Sequence, residues 1–175
     1  SISDGFPYNP ESVARRVRQL EARPDQASRR RRAELPPPGS TWVTRPRPHI
    51  DRIASAWLIK RFLDPQVRFA FADAADAPKK GIPFDILGAE FGHQGEDCTF
   101  ETLLKRFGMA DRRLRALAEI VHEADLRDGK FTRAESTGVD LAIRGLAATT
   151  HDDHELLERG MAVFDGLYSV LRQKS

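Results

Sequence analysis

At 175 residues, with 40% hydrophobic and 31% charged side chains, the chain has the balance of one folded domain around one core rather than of a disordered segment. No apolar run approaches the roughly 20 residues that a bilayer-spanning helix requires, and the single cysteine, Cys98, excludes an internal disulfide and a Cys-rich zinc cluster. The net charge of +2 is unevenly held: residues 1–48 carry ten Lys/Arg against five Asp/Glu, leaving 18 against 21 elsewhere, so the body of the chain is mildly acidic.

Asn9-Pro10-Glu11 followed by Val13, Val17 and Leu20 reads as a short amphipathic helix with proline in its first turn. Arg29 to Arg32 and then Pro36-Pro37-Pro38-Gly39 bury little, so residues 23–40 are read as linker and residues 1–40 as a segment apart from a domain spanning 41–175. The alternative use of the four arginines is contact with phosphate or an acidic partner.

Thr41 to Arg45 is short and β-prone, and Pro46 and Pro48 interrupt it. Ile50, Ile53, Ala54, Trp57, Leu58 and Phe62 then recur at three-and-four spacing, predicting a central buried helix that ends near Asp64-Pro65. Val67 to Phe71 alternates as a strand, Lys79-Lys80-Gly81 reads as a turn, and Pro83 to Leu87 as a further strand. A helix opening at Thr99 and Glu101 carries Leu103, Leu104 and Phe107, and Gly108 stops it. A second, from about Asp111, has the stripe Leu114, Leu117, Val121 and Ala124; a short one is expected over Val139 to Leu146. Thr150 and Asp153 resemble a capping box for a last helix with the stripe Leu157, Met161, Phe164, Tyr168 and Leu171. The expected class is α+β, helix-rich, with a small sheet.

Three constellations stand out for chemistry. Arg45, Arg47 and Arg52, with His49 and Asp51, lead into a helix start, where unpaired N–H groups and arginine favour an oxyanion such as chromate, phosphate or sulfate. The competing reading is that Asp51 complements the helix dipole while the arginines pair with acids. Glu90 and His93, in a loop with glycines at 88, 92 and 95, are placed to converge on one metal or one proton. His122 and Asp125, three apart on a helix with Asp128 beyond, form the third group. A carboxylate at Asp125, beside the apolar stripe, needs either an arginine or a cation. Such acid and imidazole donors suit Mn, Fe or Zn. The acids and histidines around His151 and His154 are read as helix capping, and Cys98 as a small buried residue.

Four long blocks carry a family resemblance: Thr44 to Pro65, Ile82 to Gly108, Ile120 to Phe131 and Asp152 to Tyr168. Over most of residues 41–171 the chain resembles the C-terminal domain family of the chromate resistance protein ChrB. The resemblance implies association with chromate resistance operons, as a chromate-responsive regulator beside an efflux pump. It also implies a further N-terminal region, in some relatives rhodanese-like. The 40 residues before this domain, read as one helix and a linker, make no helix-turn-helix, so nucleic-acid binding by this chain alone is not expected. Relatives commonly have Cys where this chain has Ser55, which removes a thiol mechanism there, and some have Arg in place of His122.

The expected function is therefore a metal- or oxyanion-binding domain in the chromate response. Glu90, His93, Asp125 and His122 are the expected ligands, Arg45, Arg47 and Arg52 the oxyanion contacts, and Asp51 and Arg52 the orienting or catalytic candidates. The alternative is a redox or hydrolytic metalloenzyme built on the same residues. Membrane insertion is not expected, and the sequence leaves monomer and homo-oligomer equally open. A cytoplasmic location is expected, with export left open by an N-terminus that has neither an apolar signal core nor a starting Met.

Overall fold

Trp42 and Val43, a bulky aromatic beside a β-branched residue, form the centre of a three-stranded sheet because both of its faces are covered. In the computed structural model, which describes residues 32–171, strand β1 (Thr41–Thr44) is flanked by β2 (Arg68–Phe71) and β3 (Ile82–Pro83). Both pairings are parallel, with Trp42 opposite Phe69 on one side and Ile82 on the other. Parallel neighbours need crossovers, and the first is supplied by helix α1 (Ile50–Leu58), which continues into a π-helical turn over Ile59–Leu63. That turn closes with Asp64 N–H donating to the Ile59 carbonyl at 2.8 Å.

The remaining helices are α2 (Ala77–Lys80), α3 (Thr99–Arg106), α4 (Arg112–Leu126), α5 (Glu135–Thr149) and α6 (Asp153–Leu171). With three short parallel strands and six α-helices among the described residues, the domain is the expected helix-rich α+β arrangement. Val43 packs with Ala72, Ala77 and Ile86 on one side of the sheet, while Trp42 belongs to the main core built on α1. In that core Trp57 meets Phe100, Phe164 and Tyr168, and its indole N–H donates to Asp165 at 2.8 Å. Helices α1 and α6 approach so closely at Gly160 that a Cβ there would lie 2.5 Å from Ile53 Cγ2.

Four local expectations are corrected. The third strand ends at Pro83 instead of running to Leu87, because Asp85 adopts φ 50° and turns the chain out of the sheet. The Lys79-Lys80-Gly81 turn is the end of the one-turn helix α2, and α5 covers Glu135–Thr149 rather than only Val139 to Leu146. The last helix is capped by Asp152, whose Oδ1 accepts the Glu155 N–H at 2.9 Å; Thr150 Oγ1 instead accepts from Arg159. Ala33 N–H donates to the Arg106 carbonyl and Gly39 N–H to Asp64 Oδ2, both at 2.8 Å. The expected helix over residues 9–20 and the arginines before Arg32 lie outside the described residues.

Candidate metal centre

The carboxyl end of β3 delivers Asp85, and the start of α1 delivers Asp51 and Arg52 to the same place. This is the edge where parallel sheets leave a crevice beyond their strand ends. A loop closed by Asp85 N–H donating to the Phe91 carbonyl at 2.9 Å brings His93 back over it. Gly92 is required there, because a Cβ would lie 2.8 Å from the Ile86 carbonyl oxygen. The last turn of α4 contributes Asp125.

The outcome is one imidazole nitrogen facing three carboxylates. His93 Nε2 lies 3.0 Å from Asp51 Oδ2, 3.5 Å from Asp85 Oδ1 and 3.5 Å from Asp125 Oδ2. The side-chain exposure rises from 2% at Asp51 through 12% and 20% at Asp85 and Asp125 to 40% at His93, so the cluster has a closed floor and an open mouth.

Asp51 is tied down most firmly. Its two oxygens accept the Thr99 and Phe100 backbone N–H groups at 2.9 and 3.0 Å, so a carboxylate from the start of α1 caps the start of α3. Asp85 accepts from Arg52 Nε at 3.1 Å and from Thr99 Oγ1 at 2.7 Å. These contacts set the protonation chemistry. The hydrogen bonds that His93 donates to Asp51 and Asp85 hold the proton on its imidazole and raise it to about 10. Burial, then the charges of Asp51 and Asp85, push Asp125 up to about 6. Burial raises Asp51 as well, with the nearby Asp85 charge adding to it. Burial acts in the same direction on Asp85, but His93, Arg52 and Thr99 outweigh it and leave this carboxyl below its ordinary value.

Of the residues singled out in the sequence, this place unites Asp51, Arg52, His93 and Asp125. Glu90 is elsewhere: its carboxylate pairs with Arg106 Nη2 at 2.5 Å. His122 is also elsewhere, fully buried, with Nδ1 on Glu101 and Nε2 on Asp128 at 2.9 Å. The three arginines do not converge on a common anion position. Arg47 donates to the Ala147, Thr150 and His151 carbonyls at 2.6, 3.0 and 3.2 Å, closing the C-terminus of α5, while Arg45 lies exposed and lends only its carbonyl to Arg52. The anion gathered by the helix starts is the protein's own Asp51. Asp85 was missed in the sequence because it was read as a strand residue; an acid at the end of a parallel strand, before a glycine loop, was the available signal.

Fold and site together define a small α+β domain that holds a carboxylate–imidazole cluster at the carboxyl edge of its parallel strands. A family model described as ChrB, C-terminal domain, matches residues 42–171, and the chain belongs to that family. It is similar to Protein ChrB of Cupriavidus metallidurans, with 36% identity over 133 residues, and the match covers 75% of this chain and 40% of that relative. The chain thus spans well under half of the curated relative it matches. No solved structure matches it. Among the described residues no helix is long and apolar enough to cross a membrane.

Proposed function

We propose that this domain binds a divalent metal ion through Asp51, Asp85, His93 and Asp125, and that it serves the chromate response as a sensor or accessory module. The observation that carries the reading is the approach of His93 Nε2 to three separate carboxylates within 3.5 Å. Three acids face two compensating groups, Arg52 and His93. A divalent ion that takes the place of the His93 Nε2 proton, which leaves to solvent, relieves that imbalance, whereas a bare oxyanion would add to it. Oxygen-rich donors with one imidazole suit Mn2+ or Fe2+, and Zn2+ also accepts this set. Arg52 acts on the ligand Asp85 rather than on a bound anion, fixing the carboxylate's orientation.

The exposure of His93 favours a second reading, a metalloenzyme of redox or hydrolytic type, because an ion held from below keeps coordination positions toward solvent. Metal content of chelator-stripped and reloaded protein tests the first reading. Wild type should retain Mn2+, Fe2+ or Zn2+ that Asp85→Asn and His93→Ala lose, and equal content in all three proteins refutes the assignment. A turnover screen on the loaded wild type separates a sensor, which binds without reaction, from an enzyme.

A further inference from the structure

A second group of donors lies on the other side of α3's first turn. Cys98 is the residue before α3, Glu101 lies in its first turn, and His122 comes from the facing helix α4. Their ligand atoms, one sulfur, one carboxylate oxygen and the ring nitrogen Nδ1, all lie within 4.8 Å of one another, and all three residues are buried. We infer that Cys98, Glu101 and His122 form a second, enclosed cation site, separate from the cluster at His93, suited to a thiophilic divalent ion of the Zn2+ class.

Four observations carry this. Thiolate, imidazole and carboxylate are the three donor types zinc takes. Its bond lengths of about 2.0–2.3 Å place neighbouring ligands about 3.3–3.8 Å apart, a separation that falls inside the 4.8 Å span of these donor atoms. The far nitrogen of His122, Nε2, faces Asp128 Oδ1 and Oδ2 at 3.0 and 2.9 Å, the carboxylate backing that ordinarily fixes a metal-bound imidazole. Asp128 is itself oriented by the Lys130 N–H at 3.1 Å, and the Phe131 ring covers His122 edge-on at 5.0 Å. Finally, a divalent ion bound by one thiolate, one carboxylate and a neutral imidazole leaves no net charge in the interior.

A hydrogen-bonded brace of Glu101, His122 and Asp128 explains the imidazole and the acids. The Cys98 sulfur also caps the start of α3 at the Glu101 N–H, while the Cys98 N–H donates to Glu101 Oε1 at 3.1 Å, so an ion here would take over donors that the capping box already holds together. On binding, the Cys98 S–H proton and the proton held between His122 Nδ1 and Glu101 both leave to solvent, and the freed sulfur and nitrogen lone pairs close the bonds to the ion; no electron is transferred. The metal-free thiol is held strongly protonated by burial, so loading is expected to be slow in the folded protein and fast during refolding.

Cobalt(II) is the probe, since only a thiolate ligand gives the near-ultraviolet sulfur-to-cobalt charge-transfer band, and Cys98 is the single cysteine of the chain. The full chain is loaded both by incubation and by refolding in Co2+, with folding followed by circular dichroism. The expected result is a band saturating at one equivalent, still present in Asp125→Asn and lost in His122→Gln. Asp128→Asn should weaken Co2+ binding roughly 10–100-fold. Folded wild type that shows no band after both routes overturns the inference. So does a band of unchanged strength and affinity in both Glu101→Gln and His122→Gln, which would assign the cobalt to the thiol alone. The His93 cluster contains no sulfur, so failure there leaves this band in place.

Discussion

Replacing Asp125 with asparagine should stabilise the metal-free protein while weakening metal binding at the His93 cluster. The carboxyl makes no backbone hydrogen bond among those that fix Asp51, and it is raised to about 6 by burial and by the charges of Asp51 and Asp85. Against an unfolded value near 3.9, that is roughly 2 units, or on the order of 2–3 kcal/mol at pH 7. The sign follows from proton counting. Between about pH 4 and 6 the folded state binds more protons at this group than the unfolded state, so its contribution falls as pH rises through that window. The amide keeps the shape and abolishes the titration. Urea denaturation of chelator-treated protein at pH 7 and pH 4.5 measures the effect: a gain of on the order of 2 kcal/mol at pH 7 that shrinks at the lower pH. Mn2+ or Zn2+ titration of the same variant should show affinity at least tenfold weaker, about 1.4 kcal/mol or more. A variant less stable than wild type at pH 7 refutes the account of Asp125 as a carboxylate held against repulsion.

Asp51→Ala should do the opposite and cost about 2–6 kcal/mol, since it strands the buried Thr99 and Phe100 N–H groups at about 1–3 kcal/mol each; a loss below 1 kcal/mol in urea denaturation counts against that capping role. Metal at 100 times its dissociation constant should stabilise wild type by about 2.7 kcal/mol, and thermal melts of Asp85→Asn should show little of that gain. Gly160→Ala should cost about 1–3 kcal/mol through the 2.5 Å approach to Ile53 Cγ2. Combined with Ile53→Ala it should cost less than the two single losses added, because the clashing methyl is gone; strict additivity in a double-mutant cycle would place the strain elsewhere.

The helical stripes were readable because burial on one face imposes a period that a single sequence displays. Ile53, Ala54, Trp57 and Leu58 in α1 and Leu157, Met161 and Phe164 in α6 all lie in the core. The turn at Asp85 was not readable, since its positive φ accompanies the pairing of Phe84 with Phe91 across a loop, which local alternation does not encode. Glu90 and His93 looked like one ligand pair from their spacing, but in a non-helical loop three residues fix no common direction, and Glu90 turns to Arg106. His122 and Asp125 show how little angular separation is needed on a helix. Three residues leave them on one flank, yet His122 points inward to Glu101 while Asp125 reaches the cleft and His93.

The arginine-rich helix start and the acid cluster, which pull toward opposite ligands in the sequence, are parts of one electrostatic device. Two helix N-termini, those of α1 and α3, meet at Asp51, and their partial positive charge is spent on a carboxylate that belongs to the protein. Arg52 is likewise committed to Asp85. With Asp85 kept below its ordinary value by fixed donors and Asp51 anchored by two backbone N–H groups, their charges push up the one carboxylate of the cluster without such donors, Asp125, and the proton they attract stays on His93. A structural salt-bridge network has no need of the third acid, since Asp51 and Asp85 already satisfy both the helix start and the arginine. The excess negative charge is therefore concentrated at the half-open side of the cluster, where an incoming cation meets Asp125 and His93 before it reaches the preset pair beneath.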